Sequence, residues 1–240
     1  MAYNRGESRT ANVYVLHSRP YRDTSAIVTC LSQEFGKLSF IAKGIRAKKN
    51  AKIALLQPFI PLSVCVFGNN ELKNLASVEA LSVALTLTDN HLYSALYANE
   101  LLVRLLPPEL TYPALFEHYQ QMLHWFSEQK PIEPILREFE LSLLNEFGYG
   151  IDLQYDVQND QPVIAEGRYT FDPEIGVTLV ENSQSLSIPG QLLLDVSEFN
   201  WHPASLKTAK YMNRLALGVL LGNKPLKSRE LFNKPQNTRK

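Results

Sequence analysis

The densest group of chemically active side chains lies between residues 43 and 52. This short segment contains five basic residues and no acidic one: Lys43, Arg46, Lys48, Lys49 and Lys52. Lys and Arg side chains bind phosphate oxygens, and each contact with DNA releases a counterion, so such binding depends on salt. A solvated loop is the alternative. Because uncompensated like charges repel one another, we predict a phosphate-bearing partner for this segment.

The usual motifs of enzymes and metal sites are incomplete in this chain. The segment 218–224 has two glycines and a lysine, but its spacing is too short for a phosphate-binding loop. His118 and His124 are six residues apart, so they do not share a helix face as paired zinc ligands would. Cys30 and Cys65 lie in apolar stretches, where we expect two buried free thiols. We therefore predict no enzyme activity, no metal and no cofactor.

The charges are sorted along the chain although the formal net charge is zero. Residues 1–80 hold 11 basic and 5 acidic residues, residues 81–206 hold 4 and 18, and residues 207–240 hold 9 and 1. Sorting on this scale indicates a charged partner or pairing within the molecule. The longest apolar runs are far shorter than the ~20 residues that span a bilayer, and the first ten residues are polar. We expect a cytoplasmic protein with no membrane contact.

Short apolar runs separated by turn residues indicate strands in the first third of the chain. Five runs lie at residues 13–16, 26–31, 38–42, 62–67 and 72–78. Their spacing is typical of a small barrel, and a five-stranded barrel of the OB type is the simplest fit. Tyr14, Tyr21, Phe35, Phe40 and Phe59 could stack on bases, but we expect most of them to fill the barrel core.

Beyond residue 88 the apolar spacing changes to the helical period. Helices are predicted from residue 88 to Pro107, over 112–128, over 132–147 with a cap at Gly148, and from Pro203 to Leu221. In the last helix we expect Leu206, Ala209, Leu215, Ala216 and Val219 to face inward and a basic stripe to face out. Residues 152–200 are predicted to form a small irregular insertion, with a hairpin around Asp172 and a short helix at 191–198. The fold class is α+β, with a barrel domain at 1–80 and a mainly helical domain at 81–240.

Eight ordered segments resemble the RecO family of bacterial recombination mediators. They are VYVLHSRP (13–20), EFGKL (34–38), AKGIR (42–46), LQPF (56–59), YxxxYxxELL (93–102), RxFEL (137–141), FGYG (147–150) and KPLKSRELF (224–232). The resemblance spans nearly the whole chain. It implies an N-terminal OB domain, binding of single- and double-stranded DNA, strand annealing, and loading of RecA together with RecR and the single-stranded-DNA-binding protein. It also implies DNA repair at the nucleoid. Two cysteines cannot form the four-cysteine zinc site of one branch of the family, so the chain resembles the zinc-free branch.

Two basic surfaces are predicted to bind DNA. The first belongs to the barrel and includes Arg19, Lys37, Lys43, Arg46, Lys48, Lys49 and Lys52, and the second belongs to the last helix and tail and includes Lys207, Lys210, Arg214, Lys224, Lys227 and Arg229. Two such surfaces would hold two strands at once, as annealing requires. The resemblance also implies that the acidic C-terminal tail of the single-stranded-DNA-binding protein docks on the helical domain. We expect Arg137, beside Leu141 and Leu144, to receive it, because a guanidinium binds a carboxylate through two hydrogen bonds.

Two other classes of function remain open from the residues alone. An interaction adaptor would bind a basic protein through the acidic middle segment, with the basic ends pairing to that segment. A nuclease would need carboxylates close to the basic groove. The glutamates of the third helix, Glu133, Glu138, Glu140 and Glu146, lie in the other domain, and we expect a solvated face there. Steep salt dependence of DNA binding would separate the mediator from the adaptor.

Overall fold

The computed structural model describes residues 8–45, 51–149, 152–180 and 187–233. Its contacts divide the chain into two compact units. The barrel unit comprises Met1–Lys130 together with Leu226–Lys240, and the helical unit comprises Pro131–Pro225. The domain boundary near residue 80 stays a prediction.

The five predicted strands form in the barrel unit. They are β1 (Ser8–Tyr21), β2 (Ser25–Ser32), β3 (Gly36–Ala42), β4 (Pro61–Phe67) and β5 (Leu72–Ala80). Within the described part of the chain they close a barrel in the order β1-β2-β3-β5-β4, with β3 parallel to β5 and the other pairs antiparallel. This is the OB-type barrel predicted from the sequence.

The barrel closes because β1 is long enough to pair on both sides. Its residues from Ser8 to Tyr14 pair with β4, and those from Val13 to Tyr21 pair with β2. Side chains on β3 and β4 alternate between buried and half-buried, since successive residues of a strand point to opposite faces. The interior is consequently apolar, with Val15, Val28, Phe40, Leu62 and Val64 all fully buried.

The described part of the barrel unit also contains two α-helices, α1 (Asp89–Leu105) and α2 (Pro113–Ser127). The buried Asn99 of α1 donates a hydrogen bond to the backbone oxygen of Leu16, 3.1 Å away, and accepts one from the Tyr119 hydroxyl at 2.7 Å. The loop after α1 runs against the start of β3. Gly36 has φ +65°, and a Cβ there would lie 1.8 Å from the backbone oxygen of Leu110. A glycine is therefore required at this crossing.

The helical unit contains three α-helices and small sheets within its described residues. Its elements are α3 (Ile132–Glu146), β6 (Tyr155–Asp156), β7 (Gln161–Pro162), β8 (Arg168–Asp172), β9 (Gly176–Leu179), β10 (Ile188–Pro189), α4 (Gly190–Ser197) and α5 (Pro203–Leu221). The predicted hairpin around Asp172 is confirmed, as are the short helix and the last helix. No helix in the described residues is long and apolar enough to cross a membrane.

Three burial predictions were wrong. Ala209 and Ala216 of α5 are buried as predicted, but Leu215 and Val219 are 36% and 43% exposed. The rest of the buried face follows Met212, Asn213 and Leu217. Glu140, expected on a solvated face, is 2% exposed because it pairs with a neighbouring arginine inside the helical unit. Cys30 is buried as expected, but Cys65 is only half-buried.

Candidate nucleic-acid interface

Exposed cations lie at both ends of β1. Near its end, Arg19 and Arg22 are exposed, and the Arg22 guanidinium lies 5.1 Å from the centre of the Tyr21 ring. Near its start, the Arg9 guanidinium lies 5.5 Å from the centre of the Phe35 ring. These cation–π contacts orient the guanidinium groups on the barrel surface. The sequence interpretation included Arg19 and did not include Arg9 and Arg22. The aromatic partner of Arg22 is its neighbour Tyr21, whereas that of Arg9 is Phe35, which is distant in the sequence and gives no local signal.

The predicted basic segment is described only at its two ends. Lys43 is exposed in the turn after β3. Arg46, Lys48 and Lys49 lie outside the described residues. Lys52 belongs to a short 3-10 helix, Ala51–Ala54, and its side chain lies outside the described part. Their role as phosphate contacts stays a prediction.

Lys37 is held against the end of α1 and does not project freely from the barrel. Its ammonium group donates a hydrogen bond to the backbone oxygen of Val103 at 3.0 Å, in the last turn of α1. A cation at this position satisfies a carbonyl that has no partner within the helix and complements the negative end of the helix dipole. Burial lowers the pKa of Lys37 from its ordinary value, against a smaller opposing effect of the Glu71 carboxylate. The structure thus gives Lys37 a structural contact in addition to any contact with phosphate.

The ammonium group of Lys73 is also held by contacts within the fold, and its side chain is more deeply buried than that of Lys37. Its side chain is 6% exposed, and its ammonium group lies 2.6 Å from the Glu109 carboxylate and donates to the backbone oxygen of Asn70 at 2.8 Å. An ammonium group with two close partners inside the fold does not bind external phosphate. Counting the basic residues of the first 80 positions therefore overstates the charge available on the barrel surface.

The aromatic side chains described between residues 8 and 60 divide between core and surface. Tyr14, Phe40 and Phe59 are buried, and Tyr14 packs against α2 with its ring 5.6 Å from that of Tyr119. Tyr21 and Phe35 are half-buried, and each of these rings contacts an arginine guanidinium. The pairs at the ends of β1 consequently combine a ring with a cation at the surface.

The residues of the second predicted surface are distributed over both units. Lys207, Lys210 and Arg214 are exposed on α5 of the helical unit, spaced by three and four residues along one side of the helix. The exposed apolar residues Tyr211 and Leu215 follow the same helix. Lys224 is also exposed in the helical unit. The sequence predicted the cations of α5 but not the apolar residues beside them.

The end of the described chain returns to the barrel unit. A 3-10 helix, Lys227–Asn233, carries the exposed Lys227 and Arg229. The Glu100 carboxylate on α1 accepts hydrogen bonds from the backbone N–H groups of Lys227 (2.9 Å) and Ser228 (2.8 Å) and from the Ser228 hydroxyl (2.7 Å). These contacts fix the two cations on the barrel unit. The two cations therefore belong to the barrel unit and not to the basic face of α5.

The residues predicted to receive an acidic tail lie deeper than expected. Arg137 is 8% exposed, and its guanidinium lies 3.0 Å from the Glu140 carboxylate. Glu140 also accepts a hydrogen bond from the Asn213 amide of α5 at 3.0 Å. Leu141 is half-buried, and Leu144 is 1% exposed. Arg137 thus takes part in the contact between α3 and α5, where its backbone oxygen also accepts a hydrogen bond from the Asn213 amide at 3.4 Å.

The described residues contain no group of three or more His, Cys, Asp or Glu side chains placed to hold a metal ion. Burial raises the pKa of the Cys30 thiol far above its ordinary value, so this side chain is a core residue and not a nucleophile. The arrangement that remains is a positively charged barrel with rings and guanidinium groups on its surface, which suits binding of a nucleic-acid backbone and its bases.

Comparison with known proteins agrees with this geometry. The family model described as Recombination protein O N terminal matches residues 8–84, and that described as Recombination protein O C terminal matches residues 90–230. The chain is 47% identical over 222 residues to DNA repair protein RecO of Pseudoalteromonas atlantica, and the alignment covers 92% of each chain. It is 45% identical over 222 residues to that of Pseudomonas putida strain GB-1, covering 92% of this chain and 96% of the relative. It is 41% identical over 221 residues to that of Aliivibrio salmonicida, covering 91% and 93%.

Proposed function

The chain belongs to the recombination protein O (RecO) family of DNA repair proteins, and on that premise we propose that it is a non-catalytic mediator that binds single- and double-stranded DNA and anneals complementary strands. The observation that supports this most strongly is the separation of charge between the two units. The barrel unit holds 18 basic and 11 acidic residues, whereas the helical unit holds 6 and 13. A positively charged OB barrel attracts the phosphate backbone and tolerates any sequence.

The affinity for single-stranded DNA, measured over a series of salt concentrations, tests the proposal. Replacing Lys48 and Lys49 with Glu should weaken binding to all sequences alike and flatten the dependence of log K on log salt by about 0.7 for each lost phosphate contact. Lys130→Glu is the control, since Lys130 is exposed in the connection after α2. If the affinity of the wild type did not change with salt concentration, DNA binding through phosphate contacts would be contradicted. An unchanged slope in the double variant would remove this segment from the site.

Annealing requires two strands to be held close together. We assign the second strand to Lys207, Lys210 and Arg214 of α5, the group in which the otherwise acidic helical unit concentrates exposed positive charge. Proximity raises the effective concentration of the second strand. Replacing all three with Ala should slow annealing more than it weakens the binding of one strand. Normal annealing by this variant would assign α5 to another role.

The partners proposed for the mediator are RecR, the single-stranded-DNA-binding protein and, through them, RecA. For the acidic tail of the single-stranded-DNA-binding protein, Arg137 stays the predicted contact, but its guanidinium is already paired with Glu140 and a tail would compete with that carboxylate. Lys207 and Lys210, exposed beside Tyr211, are the second candidate. Calorimetry with the isolated tail peptide compares Arg137→Lys with a Lys207, Lys210 double Ala variant. The variant that loses affinity marks the site.

The adaptor is the second candidate function, and the 13 acidic residues of the helical unit are the observation that favours it. In that case the acidic unit would bind a basic protein, and DNA binding would be weak and nearly independent of salt. The same salt series therefore separates the two functions.

A further inference from the structure

A cavity of about 220 Å³ opens in the barrel unit beside the paired ends of β1 and β2. Its walls include three apolar and three polar side chains: Ile45, Ile53, Leu56, Ser18, Arg19 and Gln57. No acidic side chain is among the described residues that line it. We propose that this cavity receives a nucleobase of single-stranded DNA, an inference that rests on the proposed DNA binding and adds a subsite to it.

The walls have the chemistry of a base site. Apolar side chains accept the faces of a flat ring, and a guanidinium either stacks on a base or pairs with its phosphate. The Ser18 hydroxyl and the Gln57 amide can each donate to and accept from the edge of a base. The Gln57 amide nitrogen donates to the backbone oxygen of Ile53 at 3.2 Å, which sets the direction of the amide group. The cavity thus offers both stacking surface and hydrogen bonds.

The position of the cavity connects it to the basic segment. Ile45 and Ile53 stand on either side of residues 46–52 in the chain, and both line the cavity. Among the described cations, Arg19 is part of the wall and Lys43 is exposed two residues before Ile45, so phosphates bound by these two side chains would bring their bases close to the cavity mouth. A binding strand needs contacts of both kinds, because phosphate contacts position it and base contacts add affinity through stacking.

The inner walls are fixed before any ligand binds. Ile45 and Leu56 are each 3% exposed and belong to the core of the barrel, whereas Ile53 is 43% exposed at the mouth. A site that needs no rearrangement loses less entropy on binding. At the adjacent turn, Arg22 is held over the Tyr21 ring and has φ 51°, a conformation disfavoured for residues other than glycine. This pair provides a stacking surface for a neighbouring base.

The apolar end of an acidic peptide is the rival occupant, since it also needs apolar walls and a cation. A nucleobase fits better because it can pair with Ser18 and Gln57. An aliphatic or phenyl group would cover these polar groups without forming hydrogen bonds, which costs free energy.

The test compares a single-stranded oligothymidylate with a strand of equal length and charge in which the central nucleotides are abasic. The full chain should bind the base-bearing strand more tightly, by about fivefold or more. Ile53→Ser and Gln57→Ala should each reduce this preference and leave the affinity for the abasic strand unchanged. Val83→Ser is the matched control, since Val83 is 84% exposed elsewhere in the barrel unit. Thermal unfolding of each variant verifies the fold.

The outcomes separate the subsite from DNA binding itself. Equal affinity for the two strands, or a preference that survives in both variants, would overturn the base subsite while DNA binding stands. Failure to bind either strand at low salt would remove the proposed function and the subsite together. A third result, loss of binding to an acidic peptide ending in Phe with no change in the preference between strands, would assign the cavity to a protein partner and overturn the inference.

Discussion

Glu100 is expected to hold the C-terminal segment on the barrel unit, and its replacement by Ala should release that segment. The carboxylate accepts three hydrogen bonds, from two backbone N–H groups and the Ser228 hydroxyl, at 2.7 to 2.9 Å. Leu226, 4% exposed, and Phe232, whose ring centre lies 5.8 Å from that of Tyr93, add apolar contacts. These hydrogen bonds connect residues that are more than 120 positions apart, so the position of the segment depends on contacts that only the tertiary fold provides.

The size of the effect follows from the charge of the acceptor. A hydrogen bond to an ionised group contributes about 1.5 to 3 kcal/mol, but the released N–H groups become hydrated at a partly exposed site. The loss should therefore total about 2 to 3 kcal/mol of docking free energy, and not three times the value for one bond. Since 1.4 kcal/mol is a factor of ten, the released population should rise about 30- to 150-fold.

Limited trypsin digestion measures this population. Cleavage after Lys227 and Arg229 requires the segment to leave α1, and its rate follows the released fraction when release is fast. Glu100→Ala should accelerate cleavage strongly, and Glu100→Gln less, because the amide retains one oxygen acceptor. Glu117→Ala, at an exposed position of α2, is the control. Equal cleavage rates in Glu100→Ala and the wild type would refute the reasoning.

The same contact predicts a dependence on pH. Burial alone would raise the pKa of Glu100, but the hydrogen bonds from Ser228 and Lys227 outweigh it and hold the pKa below the ordinary value near 4.5. A carboxyl with a lowered pKa in the docked state stabilises docking above the pKa it has when released. That stabilisation is lost as the pH falls through the docked pKa. Acid should therefore release the segment in the wild type and leave Glu100→Gln unaffected.

Three further predictions concern the two cores. Gly36→Ala should lower the midpoint of denaturant unfolding, because its Cβ would overlap the backbone oxygen of Leu110 at 1.8 Å; an unchanged midpoint would contradict that crossing. Arg137→Ala should cost about 3 to 5 kcal/mol of stability, because the buried Glu140 carboxylate loses the guanidinium that neutralises it. The double variant Arg137→Met, Glu140→Leu should recover most of this loss, as urea unfolding would show. Cys30 should resist a thiol reagent at neutral pH until the chain unfolds, since burial raises its pKa; rapid labelling of the folded protein, seen by mass spectrometry, would argue against the barrel core.

Most elements could be predicted from the sequence because strands and helices leave local patterns. The run at 38–42 alternates in burial as β3, and α5 spans the predicted Pro203–Leu221. The OB-type barrel followed from the number and spacing of the runs. The buried face of α5 was predicted only in part, because periodicity identifies an apolar stripe but not which side of it meets another element. Leu215 and Val219 are apolar and yet exposed.

The sequence by itself also determined the total charge of each segment, which needs no coordinates. Only the tertiary structure decided which charges remain available to a ligand. Lys37 binds the end of α1, 66 positions away, and Lys73 is paired with Glu109. Arg137 is paired with Glu140 inside the helical unit, so an external carboxylate would have to compete for its guanidinium. The physical reason is that an ion pair or a hydrogen bond depends on distance in space, and partners brought together by folding leave no periodic signal in the chain.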